Sequence, residues 1–225
     1  MPRRALRKTD PGVELADWLY TGDELPRPLD MPALFPRSAP LEIEVGSGKG
    51  LFLRAASKRW PERNFLGIEV AHKYAEFAAA RLAKDGRDNA RVIDGDTLRL
   101  LADAPDAVAA ALHVYFPDPW WKKRHKKRRV MNDRLLKDIE RLLEPGGRLH
   151  FWTDVREYFQ STLKLISQVT TLAGPFEVPE SPAEHDLDYR THFERRMRQA
   201  GLLVYRSEFR KPEKNPTRGD CSQLV

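Results

Sequence analysis

The residues of this chain best equipped to do chemistry lie in one run, Pro117-Asp118-Pro119-Trp120-Trp121, which leads directly into Lys122-Lys123-Arg124-His125-Lys126-Lys127-Arg128-Arg129. A carboxylate between two prolines is a stiff hydrogen-bond acceptor, because each ring locks its own φ and restricts the residue before it. The stretch after it holds seven Lys or Arg in eight positions and no acid. A ribbon of that kind is suited to gripping phosphates, with Lys126, Lys127, Arg128 and Arg129 as its candidate contacts. A small reactive site therefore adjoins a clamp for a polyanion.

A second set of residues points to a small ligand. Gly46-Ser47-Gly48-Lys49-Gly50 is a turn whose glycines, Gly46 and Gly48 first, let backbone approach a ligand closely at a helix start. Two nucleotide motifs fail on residue identity. A dinucleotide fingerprint needs glycine where Leu51 stands, and a P-loop needs glycine at Ile43 and Ser or Thr at Gly50. Glu44, just before the turn, would repel phosphates and suits a cationic amino group. Glu69, nineteen residues past Gly50, is placed to accept from ribose hydroxyls, and Asp96 from an adenine amine. An ammonium, a ribose and an adenine without phosphates describe S-adenosylmethionine.

These residues require a scaffold, and the apolar pattern supplies one. Strands are predicted at Leu41–Val45, Asn64–Val70, Ala90–Ile93, Ala109–Phe116 and Arg148–Thr153, with helical spacing between them. The expected fold is α/β, a doubly wound, mostly parallel sheet. Ligands of such sheets sit beyond the C-terminal strand ends. Glu44, Glu69, Asp96, Asp118 and Asp154 all fall there. Any one alone reads as a turn former or helix cap; five at one edge read better as a collective site. Further along, helices are predicted over Val155–Leu172 and near Tyr189–Ala200, and a strand over Leu202–Phe209. The expected organisation is an irregular extension over residues 1–40, a domain over 41–210 and a polar tail over 211–225, the first ten residues mobile and the last fifteen frayed. A short helix around Val13–Tyr20 is expected within the extension.

Composition agrees with a nucleic-acid partner. Lys and Arg number 39 against 33 acids, net +6, but without residues 122–129 the balance is 32 against 33, net −1. The basicity is thus local, a footprint for phosphate contacts rather than for general solubility. The lone cysteine, Cys221, excludes an intrachain disulfide framework and fits a reducing compartment. No secretory signal is evident, and no window nears the ~18 apolar residues of a membrane span. A cytoplasmic protein without membrane contact is expected. The histidines show no metal-ligand spacing, so no metal is expected. Monomer and homodimer both stay open.

Taken together, Glu44-Val45-Gly46-Ser47-Gly48-Lys49-Gly50, Gly67-Ile68-Glu69, Asp94-Gly95-Asp96, Phe116-Pro117-Asp118-Pro119-Trp120-x-Lys122, Arg124-His125-x-Lys127-Arg128-Arg129, Phe151-x-Thr153-Asp154 and Thr191-x-Phe193-Glu194 resemble the bacterial tRNA (guanine-N7)-methyltransferase family. The match runs over residues 41 to about 209. The resemblance implies a class I methyltransferase (Rossmann-like) fold of seven strands with an antiparallel edge, including a strand near Phe176–Val178. It implies methylation of a variable-loop guanine of tRNA, with Glu44, Glu69, Asp96 and Asp118 lining the S-adenosylmethionine site and Asp118 also catalytic. Lys122, Asp154, Thr191 and Glu194 would contact substrate. Trp121 departs from the family pattern, and the tail after Phe209 is no family feature.

Other readings remain beside this one. Thr191 and Glu194 also spell a helix capping box. Trp120 is expected to pack inward, whereas the place of Trp121 is open between pocket wall and packing. Pro117-Asp118-Pro119-Trp120 resembles the Asp/Asn-Pro-Pro-aromatic motif of amino-methylating nucleic-acid enzymes. A non-catalytic RNA-binding module on the same fold is a third reading, opposed by the intact acidic set.

Overall fold

The computed structural model describes Leu6, residues 12–183 and residues 185–213. Its strands are β1 (Leu19–Thr21), β2 (Leu41–Val45), β3 (Asn64–Glu69), β4 (Ala90–Asp94), β5 (Ala109–Tyr115), β6 (Leu143–Thr153), β7 (Ala173–Glu177) and β8 (Tyr205–Arg210). The helices are α1 (Leu51–Arg59), α2 (His72–Lys84), α3 (Thr97–Ala102), α4 (Asp133–Leu142), α5 (Arg156–Val169) and α6 (His192–Gln199). All eight strands form one sheet in the order β1-β4-β3-β2-β5-β6-β8-β7. Pairing is parallel from β1 to β6 and antiparallel at β6–β8 and β7–β8.

Continuous apolar runs produce the central strands, as expected where helices cover both faces. Ile43, Val45, Leu112 and Val114 point to one face and pack with Leu135, Leu136 and Ile139 of α4. On the other face Phe52, Leu53 and Ala56 of α1 meet Ala75, Ala78 and Ala79 of α2. Small side chains on α2 let it lie close to α1: a Cβ added at Gly50 would sit 2.8 Å from that of Ala78. Asn132 caps α4, its side chain accepting from Leu135 N–H at 3.0 Å.

The chain order reverses between β2 and β5, so the crevice of this sheet opens at the ends of those two strands. Register sets Glu44 opposite Gly67 on one side and His113 on the other.

Several expectations change. The region predicted as a short helix at Val13–Tyr20 instead ends in β1, which pairs with β4 from Leu19↔Val92 to Thr21↔Asp94 and gives the sheet an eighth strand. Trp18 anchors it through an indole N–H to Arg87 O at 2.7 Å. The strand predicted from Leu202 starts only at Tyr205, leaving Leu202 and Leu203 exposed. The fifth predicted strand begins earlier, at Leu143, and absorbs Pro145-Gly146-Gly147 through a register shift against β5. α5 and α6 are shorter than the Val155–Leu172 and Tyr189–Ala200 predicted. The basic run forms a 3₁₀ turn over Lys123–Arg128. The expectations for the first ten residues, Leu6 apart, and for the tail beyond Glu213 lie outside the described residues. Within the described part, Lys211 is tied down by its Nζ on Leu143 O at 2.7 Å.

Candidate functional site

β2 carries Glu44 into the interior, where it is 2% exposed. Burial, then the nearby charge of Glu69, raises its pKa well above the usual carboxylate value, and the charge of Arg190 opposes them. Its Oε2 is buried with no hydrogen-bond partner, as is the neighbouring Ser47 Oγ. Buried polar atoms are rarely left unpaired, so two together beside a glycine turn mark a place that a polar ligand completes. Gly46 (φ 75°) and Gly48 (φ 54°) hold the turn in left-handed conformations, and a Cβ at either would meet nothing within 4 Å. Glycine here leaves an open cradle, while Gly50 serves helix packing.

Glu69 at the end of β3 clamps this turn. One carboxylate oxygen accepts from Gly48 N–H at 2.8 Å and the other from Ala71 N–H at 2.9 Å. A carboxylate has about four acceptor directions, so acceptor capacity remains for hydroxyl donors. After it stands Val70, 72% exposed, an apolar surface that sequence reasoning passed over. Beyond β4, Asp96 is exposed, caps α3 through Arg99 N–H at 3.2 Å, and borders a small cavity with Gly22, Asp23, Arg27 and Arg99. His72 Nδ1 lies 2.6 Å from Asp94 at the same edge.

Asp118 follows β5, the neighbour of β2, and lines a cavity of about 380 Å³ with Pro119, Trp120, Trp121, Lys122 and His125. Phe116 (φ 50°) and Trp120 (φ 43°) flank Pro117-Asp118-Pro119 in the left-handed region, which bulky residues rarely enter. Strain of this kind persists where surrounding contacts over-determine it. Phe116 N–H donates to Trp152 O at 2.8 Å, and Trp120 is held edge-on by His125 with the Arg128 guanidinium 5.2 Å above its ring. Trp120 is half-buried, held by these two contacts, and also lines the cavity. Trp121 is 67% exposed.

The cationic ribbon divides. Lys122, Arg124, Lys127 and Arg128 are exposed beside the cavity. Arg129, expected on phosphate, is 9% exposed instead. Its guanidinium stacks 4.4 Å above Tyr158, and its Nε donates to Pro119 O at 2.8 Å. The Lys126 side chain, also expected on phosphate, lies outside the described residues.

Thr191 caps α6, but only half of the capping box allowed by the spacing is made, because Glu194 reaches past the cap to the residue before it. Thr191 Oγ1 accepts from Glu194 N–H at 3.0 Å, and Glu194 Oε2 accepts from Arg190 N–H at 2.7 Å. Glu194 is 2% exposed, with Arg198 and Arg206 3.4 Å from its other oxygen. Its carboxylate therefore organises the segment before α6 from within and is not offered to a substrate, contrary to the expectation. Asp154 stands half-buried after β6 at the same sheet edge.

Beneath the site lies a buried relay that the sequence did not suggest. His113 Nε2 and Glu42 Oε2 are 2.8 Å apart, and His113 Nδ1 lies 2.8 Å from Tyr115 Oη. A carboxylate can only accept, so Nε2 carries the proton and Nδ1 receives the tyrosine O–H. Burial lowers the His113 pKa and keeps the ring neutral; burial alone would raise Glu42, but its bonds to His113 and Arg63 hold it at about 2. His150 stacks on His113 at 4.8 Å. Arg190 sits above this layer, 5.4 to 5.9 Å from the rings of Phe52, Trp60 and Trp152. Nothing in its local sequence marks it, because its neighbours come from distant elements.

Among the described residues, no group of three or more His, Cys, Asp or Glu could hold a metal ion, and no helix is long and apolar enough to cross a membrane. A family model described as "Putative methyltransferase" matches residues 38–207. A tRNA (guanine-N(7)-)-methyltransferase of Rhodopirellula baltica is 50% identical over 94% of this chain and 80% of its own length. One from Nitrosococcus oceani is 36% identical over 82% of this chain and 77% of its own. Among solved structures, a tRNA (m1A58) methyltransferase from Aquifex aeolicus aligns with a TM-score of 0.50 at 16% identity, covering 78% of this chain and 63% of that one. A SAM-dependent O-methyltransferase from Thermotoga maritima aligns with a TM-score of 0.50 at 17% identity, over 79% and 61%. These last two bear on the fold alone.

Proposed function

Because the chain belongs to the tRNA (guanine-N7-)-methyltransferase family, we propose that its acidic rim and its cationic turn are two halves of one site, which transfers a methyl group from S-adenosylmethionine to N7 of a variable-loop guanine in tRNA. The observation that carries this reading is the unpartnered Glu44 Oε2, buried beside an open glycine cradle. An ammonium fits that need and a phosphate does not.

The residues present fit the donor. Glu44 in its ionised form takes the amino group, Gly46 and Gly48 admit the donor against their backbone, Glu69 accepts from the ribose, and Asp96 from the adenine amine. Val70 offers an apolar face beside that purine. S-adenosylmethionine, when bound, supplies an electrophilic methyl on a sulfonium sulfur.

Guanine N7 carries an in-plane lone pair and no proton at neutral pH, so attack needs no general base. What the protein must supply is position, and holding reactants in line removes several kcal/mol of barrier. Asp118 is assigned to accept from the guanine N1–H and exocyclic amine, which aims N7 toward the donor. Its charge also favours the positive charge that the base acquires. The two prolines, the strained Phe116 and Trp120, and the Arg129 bond to Pro119 O keep that carboxylate in place.

Exposed Lys122, Arg124, Lys127 and Arg128 hold RNA phosphates, giving salt-sensitive affinity without sequence readout. Asp154, at the same edge, is assigned to the substrate side. Thr191 and Glu194 act on the substrate through the α6 cap they build. The reaction is placed in the cytoplasm, where tRNA is found.

The test is methyl transfer from labelled S-adenosylmethionine to unmodified tRNA, followed by digestion and identification of the modified base. N7-methylguanosine in the variable loop is expected. N6-methyladenosine, or no transfer despite donor binding, would replace this reading with an amino-methyltransferase or a binding module.

A further inference from the structure

Two adjacent tryptophans meet different fates. Trp120 is pinned under Arg128 and against His125, whereas Trp121 is 67% exposed at the mouth of the Asp118 cavity. Trp120 has a left-handed backbone, and the indole after it lacks the two contacts that hold the first. An indole in water forgoes a large burial free energy, and the fold adopts a strained residue to put it there. Around it three cations, Lys122, Arg124 and Arg128, are exposed on the same turn, and the cavity it borders adds the Asp118 carboxylate. An apolar protein partner would meet a dense cationic rim; a nucleic acid is complementary to both features.

We infer that Trp121 is the stacking face of the substrate pocket, receiving the everted guanine while Asp118 reads its edge. This rests on the methyl-transfer reading of the same site and adds to it the residue that holds the base. Everting a base loses its stacking in the RNA, and the loss must be recovered on the protein. An aromatic plane recovers it for any base, because every base has a π-face. Hydrogen bonds donated to Asp118 select the edge but leave the ring free to tilt about that edge. A plane against one face removes the tilt, and the cavity of about 380 Å³ has room for a purine beside the indole. Trp121 therefore acts on how much of the bound RNA has its guanine in the cavity, and little on the donor.

The experiment compares wild type with Trp121→Ala, Trp121→Phe and Trp121→Leu. For each, tRNA affinity is measured by filter binding in the presence of S-adenosylhomocysteine, S-adenosylhomocysteine affinity by calorimetry, and kcat and KM by methyl transfer. Trp121→Ala is expected to weaken tRNA binding and raise its KM by about 5- to 100-fold, with S-adenosylhomocysteine affinity unchanged. Trp121→Phe restores most of the loss, and Trp121→Leu, equally apolar but without a π-face, restores little. Equal tRNA affinity in wild type and Trp121→Ala overturns the inference, as does full rescue by leucine. A change in sedimentation between wild type and Trp121→Ala, with tRNA affinity intact, would make the indole a contact between copies instead. A wild type that binds tRNA but leaves guanine N7 unmodified defeats the reaction assignment, while the affinity series still decides the role of Trp121.

Discussion

Arg129 donates its Nε–H to the carbonyl of Pro119 at 2.8 Å, which ties the last cation of the basic run to the residue after Asp118. The same guanidinium lies over Tyr158, whose phenol is pushed up to about 12, chiefly by burial. One stretch of like charges thus contains residues with opposite duties: some face solvent, and one braces the loop from below.

That division predicts two different phenotypes. Replacing Lys127 and Arg128 by alanine should weaken tRNA binding and reduce the slope of log affinity against log salt by about one to two units, from roughly 0.7–0.9 per phosphate contact. Arg129→Ala should leave the salt slope alone and lower kcat by about ten- to a hundred-fold, through displacement of the Asp118 loop. Filter binding across a salt series, with steady-state rates beside it, separates them. Equal loss of slope in both variants would return Arg129 to the phosphate contacts.

Glu44 has a raised pKa, because burial and Glu69 disfavour its charge more than Arg190 supports it. Only the ionised form attracts an ammonium. Donor affinity should therefore strengthen as pH rises through that raised pKa, with proton release on binding. Calorimetry of S-adenosylhomocysteine in buffers of different ionisation heat reads the release directly. Glu44→Gln should weaken binding by about ten-fold or more, on the scale of one lost charge-assisted bond, and abolish the proton release. Release that persists in Glu44→Gln would assign it elsewhere.

His113 and His150 give the fold its own pH dependence. Burial lowers both below 6.5, and for His150 the repulsion that a proton would meet from His113, were both protonated, and from Arg190 adds to the effect. A base with a depressed folded pKa takes its proton more readily when unfolded. Stability is accordingly full above pH 6.5 and falls as pH drops below it. The Glu42 contribution, held at about 2, is lost only below the ordinary carboxylate value of 4.5 and so outside this window. Glu44 works in the opposite sense, because its raised pKa makes its own contribution fall as pH rises from 4.5. The expected outcome is therefore a difference: between neutrality and mild acid, wild type should lose more stability in thermal melts than His150→Gln. Equal changes in the two would contradict the neutral assignment of His150.

The parts of the molecule legible in the sequence were those written in local order. Glu44 with its glycine turn, Glu69, and Asp118 between prolines sit at strand ends because apolar runs stop beside them, and runs can be read. β1 could not be read in this way. Three residues, Leu19–Thr21, have no periodicity, and only pairing with β4 makes them a strand. Arg129 was misassigned because a run of cations does not say which of its members faces Tyr158. Arg190 was missed because Phe52 and Trp60, at the two ends of α1, and Trp152 of β6 all lie far from it in sequence. Glu194 was read two ways from a Thr-x-x-Glu spacing, and burial decided for the cap.

Whether the acidic rim and the cationic turn serve a single reaction is tested most directly by single-turnover methylation of tRNA with Asp118→Asn, alongside its affinities for tRNA and S-adenosylhomocysteine. The amide keeps the size of the side chain but loses the charge and half of the acceptor capacity. The rate should fall by about 10²-fold or more, with both affinities within a few-fold of wild type. A rate equal to wild type would remove Asp118 from the mechanism and separate the two halves of the site.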